Sequence, residues 1–172
     1  MDLPAPPLRQ SPAVALPRAL ESALRREGLK VKDERTRGHV PLRVWAGTIG
    51  AQTPPATGAG PGTDLSTWIP APRTASDASL FCPGPEEVMD AHDRFEVSLA
   101  LGRAVIGHVS DPWFWLTRSG TPDPCPADLE WISSAHRAWK VLGLAPRAAV
   151  VTREGWWLHP SGARRTWKRL RH

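Results

Sequence analysis

An ordered correspondence between two stretches in the back half of the chain, offset by 42–44 residues, limits the fold more than any other feature. Cys82-Pro83 recurs as Cys125-Pro126, Ala91-His92 as Ala135-His136, and Phe95 as Trp139. Val97 then matches Val141, Arg103-Ala104 matches Arg147-Ala148, Trp113-Phe114 matches Trp156-Trp157, and Ser119-Gly120 matches Ser161-Gly162. Self-similarity at a nearly constant spacing is what a repeated supersecondary unit leaves in a sequence.

Both copies carry the same local signals. Val88, Ala91, His92 and Phe95 fall at helical phases on one face, and Ile132, Ala135, His136 and Trp139 repeat those phases. A proline precedes each helix, at Pro85 and Pro126, and Gly143 ends the second. Apolar runs follow at Ala104–Ile106 and Ala148–Val151, then turns at 110–112 and 153–155, then tryptophan-bearing strands at Trp113–Leu116 and Trp156–Leu158. The predicted fold class is therefore α+β: duplicated helix–β-hairpin (αββ) units, residues 81–120 and 124–162, packed together with one histidine facing inward from each. A unit of this size buries too little apolar surface alone, so the two must share a core.

The front half is predicted to be smaller and looser. Four prolines within residues 1–12 argue for a disordered N-terminus. Leu16, Leu20 and Leu24 recur every four residues, giving a helix from Pro17 to a C-cap at Gly28. Strands over Leu29–Lys32 and Val40–Val44 complete a helix-plus-hairpin element over 13–49, with Pro41 placing the second strand at a sheet edge. That element resembles a degenerate third copy. Residues 50–80, rich in Pro and Gly, read as a linker. Residues 164–172 read as a basic tail.

Charge is unevenly placed. Residues 1–50 hold nine Lys/Arg against five acids, residues 51–146 six against eleven, and residues 147–172 seven against one. Basic ends on an acidic middle suit a polyanion, or a second copy of the same chain. The helix over 127–142 followed by a hairpin also resembles the end of a winged-helix domain, with Arg153-Glu154-Gly155 at the wing tip. The residues predicted to contact DNA or RNA are Arg25, Arg26, Lys30, Lys32, Arg35 and Arg37 at one end. At the other are Arg137, Lys140, Arg153, Arg164, Arg165, Trp167, Lys168, Arg169 and Arg171. Contact would be mainly with the phosphate backbone, since the 127–142 helix offers no Asn or Gln to read adenine. The alternative is a structural or protein-interaction subunit that self-associates or joins a bacterial or phage assembly.

Other chemistry is disfavoured. Cys82, His92, Cys125 and His136 are too widely spaced for a usual zinc site, and each histidine lies on an apolar stripe. A Cys82–Cys125 disulfide is not expected in a reducing compartment. Glu86, Glu87, Asp90 and Asp93 read as the wet face of a helix rather than a Mg²⁺ site, and no phosphate-binding glycine loop is present. No cofactor and no catalytic group is predicted. Without a signal-like N-terminus or an apolar span of membrane length, the expected location is cytoplasmic.

Overall fold

The computed structural model describes residues 16–34, 40–51, 77–168 and 170. They form a mixed α/β fold in three layers. In chain order the elements are α1 (Arg18–Glu34), β1 (Arg43–Gly47), β2 (Ala78–Phe81), α2 (Ala91–Val105), β3 (Trp113–Thr117), α3 (Pro126–Val141), β4 (Ala148–Thr152), β5 (Gly155–His159) and β6 (Arg164–Thr166). The strands make one six-stranded sheet in the order β2-β1-β3-β4-β5-β6. Only β3 and β4 pair in parallel, joined through α3 as a βαβ unit; the other neighbours are antiparallel.

Strand alternation sends side chains to two separate cores. Val44, Ala46, Phe114, Leu116, Ala148 and Val150 face α2 and α3, where they meet Leu101, Val105, Trp131, Ala135 and Trp139. Trp45, Trp115, Ala149, Val151, Trp156 and Leu158 face the other way, onto Ala23 and Leu24 of α1. Every residue of β4 is buried, as expected of an interior strand covered on both faces. On the α1 side the Trp45 and Trp115 rings stack with centroids 5.6 Å apart, and Trp45 Nε1 donates to Thr117 Oγ1 at 3.0 Å.

Several expectations are corrected. The second unit does form helix–strand–strand, as α3, β4 and β5. The first does not, because the apolar run at Ala104–Ile106 finishes α2 and its following turn, so one strand follows that helix in place of two. Packing decides this: α2 lies along α3, with Gly102 close against Leu142 and Trp139. The matched strands β3 and β5 also run antiparallel to each other, with β4 between them. A continuous sheet covered on both faces stands where a winged-helix arrangement was expected.

α2 begins three residues after Val88, because Asp90 caps it. The Asp90 carboxylate accepts from the backbone N–H groups of His92 (2.7 Å) and Asp93 (2.9 Å), and Asp93 accepts from Asp90 N–H in return. These amide donors hold the Asp90 carboxyl below its ordinary pKa. Val88 is left outside the helix and 94% exposed. His92 sits exposed in the first turn, whereas His136 is half-buried, so the two histidines do not form an inward-facing pair.

In the front half, the strand predicted at Leu29–Lys32 belongs to α1, which runs on to Glu34. β1 starts after Pro41 and lies between β2 and β3, inside the sheet that also holds 113–166. The predicted disordered 1–12 segment and most of the predicted linker lie outside the described residues.

His136 meets His159 at the end of β5, with ring centroids 4.6 Å apart, and its Nε2 is buried without a partner. Burial, and secondarily the neighbouring His159, lower the His136 pKa from its ordinary 6.5. The unfolded chain therefore takes up this proton first. Stability from the neutral imidazole is present above pH 6.5 and is lost as the pH falls through the lowered folded value. Urea midpoints measured from pH 7.5 to 5 are expected to fall less steeply in His136→Leu than in the native chain. Parallel slopes would show that His136 does not contribute.

Candidate nucleic-acid interface

Residues 164–168, predicted as the start of a basic tail, do not hang free. Arg164–Thr166 forms β6, paired in the register Gly155↔Thr166, Trp156↔Arg165 and Trp157↔Arg164. Trp167 N–H then donates to Glu154 O at 2.9 Å. Because successive residues of a strand point to opposite faces, this basic run is divided. Arg164 shares the face of Trp157, toward α2 and α3, and pairs with Asp123 at 2.9 Å. Arg165 shares the face of Trp156, toward α1, and pairs with Glu21.

Residues 165–168 and 170 follow one line of α1. Glu21, Arg25, Gly28 and Lys32 lie at i, i+4, i+7 and i+11, a single stripe of the helix. Glu21 holds Arg165, and Lys32 Nζ donates to Leu170 O at 3.1 Å. Between them, the Trp167 ring occupies the space a side chain at Gly28 would need. A Cβ on Gly28 would lie 2.5 Å from Trp167 Cη2 and 2.6 Å from Cζ3. Gly28 is therefore a seat for Trp167 in mid-helix, not the predicted C-cap.

Between α1 and this segment lies an open groove of about 680 Å³, lined by Arg25, Arg165, Thr166, Trp167 and Lys168. Three of the five lining residues are cationic and none is acidic. Arg25, Arg165 and Lys168 are exposed, and Trp167 is half-buried. Residues predicted to act at opposite ends of the chain thus meet at one site.

Arg165 in the lining is itself paired with Glu21, and the remaining predicted contacts are elsewhere or engaged as follows. Lys30 is bound to buried Glu27 at 2.7 Å and to Ala51 O at 2.7 Å. Arg26 is exposed on α1 outside the groove lining, and Lys32 holds Leu170 at the end of the stripe. Arg153 pairs with Glu154 at 3.1 Å in the β4–β5 turn. Arg137, with its guanidinium 5.4 Å from the Phe95 ring centroid, and exposed Lys140 are on α3, across the sheet from α1. Arg35, Arg37, Arg169 and Arg171 lie outside the described residues.

Cys82 and Cys125 are free thiols, and no group of three or more His, Cys, Asp or Glu side chains is placed to hold a metal among the described residues. Of the predicted carboxylate set, Asp90 and Asp93 cap α2, and Glu87 accepts from Gly84 N–H at 2.8 Å. No described helix is long and apolar enough to cross a membrane. Searches with protein-family models, curated proteins and solved structures find no match to this chain, so the groove and its chemistry carry the functional reading alone.

Proposed function

We propose that the chain binds nucleic acid as an accessory or regulatory protein, mainly through the phosphate backbone, in the groove between α1 and the segment that follows β5. One observation carries this reading: Arg25, from the front of the chain, and Arg165 and Lys168, from its end, surround one groove whose lining has no carboxylate, Glu21 beside it being matched by Arg165. Each phosphate neutralised releases condensed counterions, so binding weakens with salt at a slope set by the number of contacts.

The combined variant Arg25→Ala/Lys168→Ala tests the reading and leaves the Arg165–Glu21 pair in place. Its slope of log affinity against log salt, measured by fluorescence anisotropy, is expected to be shallower by about 1.4–1.8, for two contacts at roughly 0.7–0.9 each. Arg164→Ala, on the other face, should leave the slope unchanged. An unchanged slope in the double variant would overturn the assignment.

Self-association draws on the same cations. Exposed Glu86, Val88 and Asp90 form an acidic stretch with an apolar centre that a second copy could present to the groove. In that reading nucleic acid and the second copy compete, and light scattering during the same titration separates them.

A further inference from the structure

We infer that the groove takes single-stranded nucleic acid, with an unpaired base stacked on Trp167 and the flanking phosphates on Arg25, Arg165 and Lys168. This rests on the nucleic-acid reading above and adds the strandedness of the ligand.

The shape of the site supplies the first reason. Backbone contact with a duplex needs only a charged surface, because paired bases stay inside the helix. The groove, about 680 Å³ and open to solvent, leaves room beside Trp167 for a base that is free to leave its strand, whereas a paired base stays in its stack.

The second reason is how Trp167 is held. The far edge of its six-membered ring fits the notch at Gly28, and its backbone N–H is fixed to Glu154 O. The residue is thus held at its backbone and at its ring edge, packs against the α1-side core, and still lines the groove. An aromatic side chain positioned before binding gives up little conformational freedom when a base stacks on it. Single-strand binding sites combine these two parts, cations that follow the backbone and a π-face that accepts any base.

The lining lacks the side chains that read adenine and cytosine, while its Arg, Lys and Thr can meet guanine and other base edges without fixing a sequence. Arg, Thr, Trp and Lys are present, with no Asn or Gln for adenine and no carboxylate for cytosine. Recognition by stacking is therefore tolerant of sequence, and the site discriminates by strandedness.

The test uses the full chain with labelled oligo-dT, oligo-rU and a mixed-sequence duplex, each of about 15 units, a length matched to the upper range of single-strand site sizes. Anisotropy titrations at one fixed salt concentration are expected to show both single strands bound at least tenfold more tightly than the duplex. Trp167→Leu should weaken single-strand binding about 5- to 140-fold, the range that base–aromatic stacking supplies, and bring the ratio close to one. Trp167→Phe keeps a π-face and should retain most of the preference, which separates stacking from a merely structural role. Thermal melts of both variants report whether the segment remains docked.

Duplex binding as tight as single-strand binding, with the salt slope intact, would overturn this inference and leave the nucleic-acid reading standing. Equal losses in the Leu and Phe variants would overturn it as well. If none of the three probes binds at low salt, both readings fall together.

Discussion

Replacing Asp128 with alanine is expected to destabilise the fold by about 3–5 kcal/mol, the usual cost of removing one partner from a buried ion pair. Asp128 is only 1% exposed, and both of its oxygens take hydrogen bonds from Arg118, at 2.6–3.1 Å. The remaining donors of Arg118 reach backbone carbonyls in the same connection: Ser119 at 2.8 Å, Thr121 at 3.0 Å and Asp123 at 3.0 Å. Asp128 also accepts from Cys125 N–H at 2.9 Å, which fixes the start of α3.

The connection from β3 to α3 is thus folded around a single guanidinium, whose pKa is raised chiefly by its hydrogen bond to Asp128. Without the carboxylate, that charge stays largely buried and uncompensated. The loss is a large part of the roughly 5–15 kcal/mol that holds a typical domain. Arg118→Lys at the same site should recover little, because an ammonium cannot reach five acceptors in a planar fork. Urea denaturation followed by tryptophan fluorescence measures the effect. Removing both partners, as Arg118→Met/Asp128→Leu, is expected to cost less than removing Asp128 alone. A loss below about 1 kcal/mol in Asp128→Ala would show that the pair is not a structural anchor.

Periodicity made α3 legible. The structure places α3 within one residue of the predicted 127–142, and Ile132, Ala135 and Trp139 are buried as their spacing implied. The strands at Trp113 and Trp156 were equally visible from their composition. A short apolar run such as Ala104–Ile106 fits a strand or the end of a buried helix equally well by pattern alone. Only the neighbour decides, and here α3 provides a surface along which α2 continues. The repeat misled for a related reason. Two stretches can share residue order and side-chain alternation, as Trp113-Phe114 and Trp156-Trp157 do, while their strands run in opposite directions.

The site was legible in part. Charge counting found basic residues at both ends of the chain, but nothing local says that the ends meet. The signal that could have indicated it is Gly28, which interrupts a helical pattern continuing to Val31 and Lys32. Glycine in a helix interior is unfavourable by about 1 kcal/mol relative to alanine, so a packing reason was the reading to test. A run of arginines also looks like one patch until it is known to be a strand, whereupon Arg164 and Arg165 part to opposite faces.

Gly155→Ala is expected to dismantle the groove without replacing any residue that lines it. Gly155 is buried opposite Thr166, and a Cβ there would lie 2.0 Å from Arg165 O and 3.0 Å from Pro122 Cγ. The first of these is backbone, so no side-chain rotation relieves the clash, and β6 itself must move. That movement carries Arg165, Trp167 and Lys168 away from α1. Overpacking of this kind costs about 1–3 kcal/mol, offset by roughly 0.4–1 kcal/mol from the restricted unfolded chain. On the nucleic-acid reading proposed above, the binding effect should be larger than the stability effect suggests. With Arg165 and Lys168 displaced together, the salt slope should become shallower by about 1.4–1.8, although every cation is still present. Hydrogen exchange over 164–167 should accelerate while α3 stays protected. Gly107→Ala, where a Cβ meets nothing within 4 Å, is the matched control and should change neither slope nor exchange. A native slope in Gly155→Ala would mean that the cations act independently of one another, and that the docking of β6 beside α1 is irrelevant to binding.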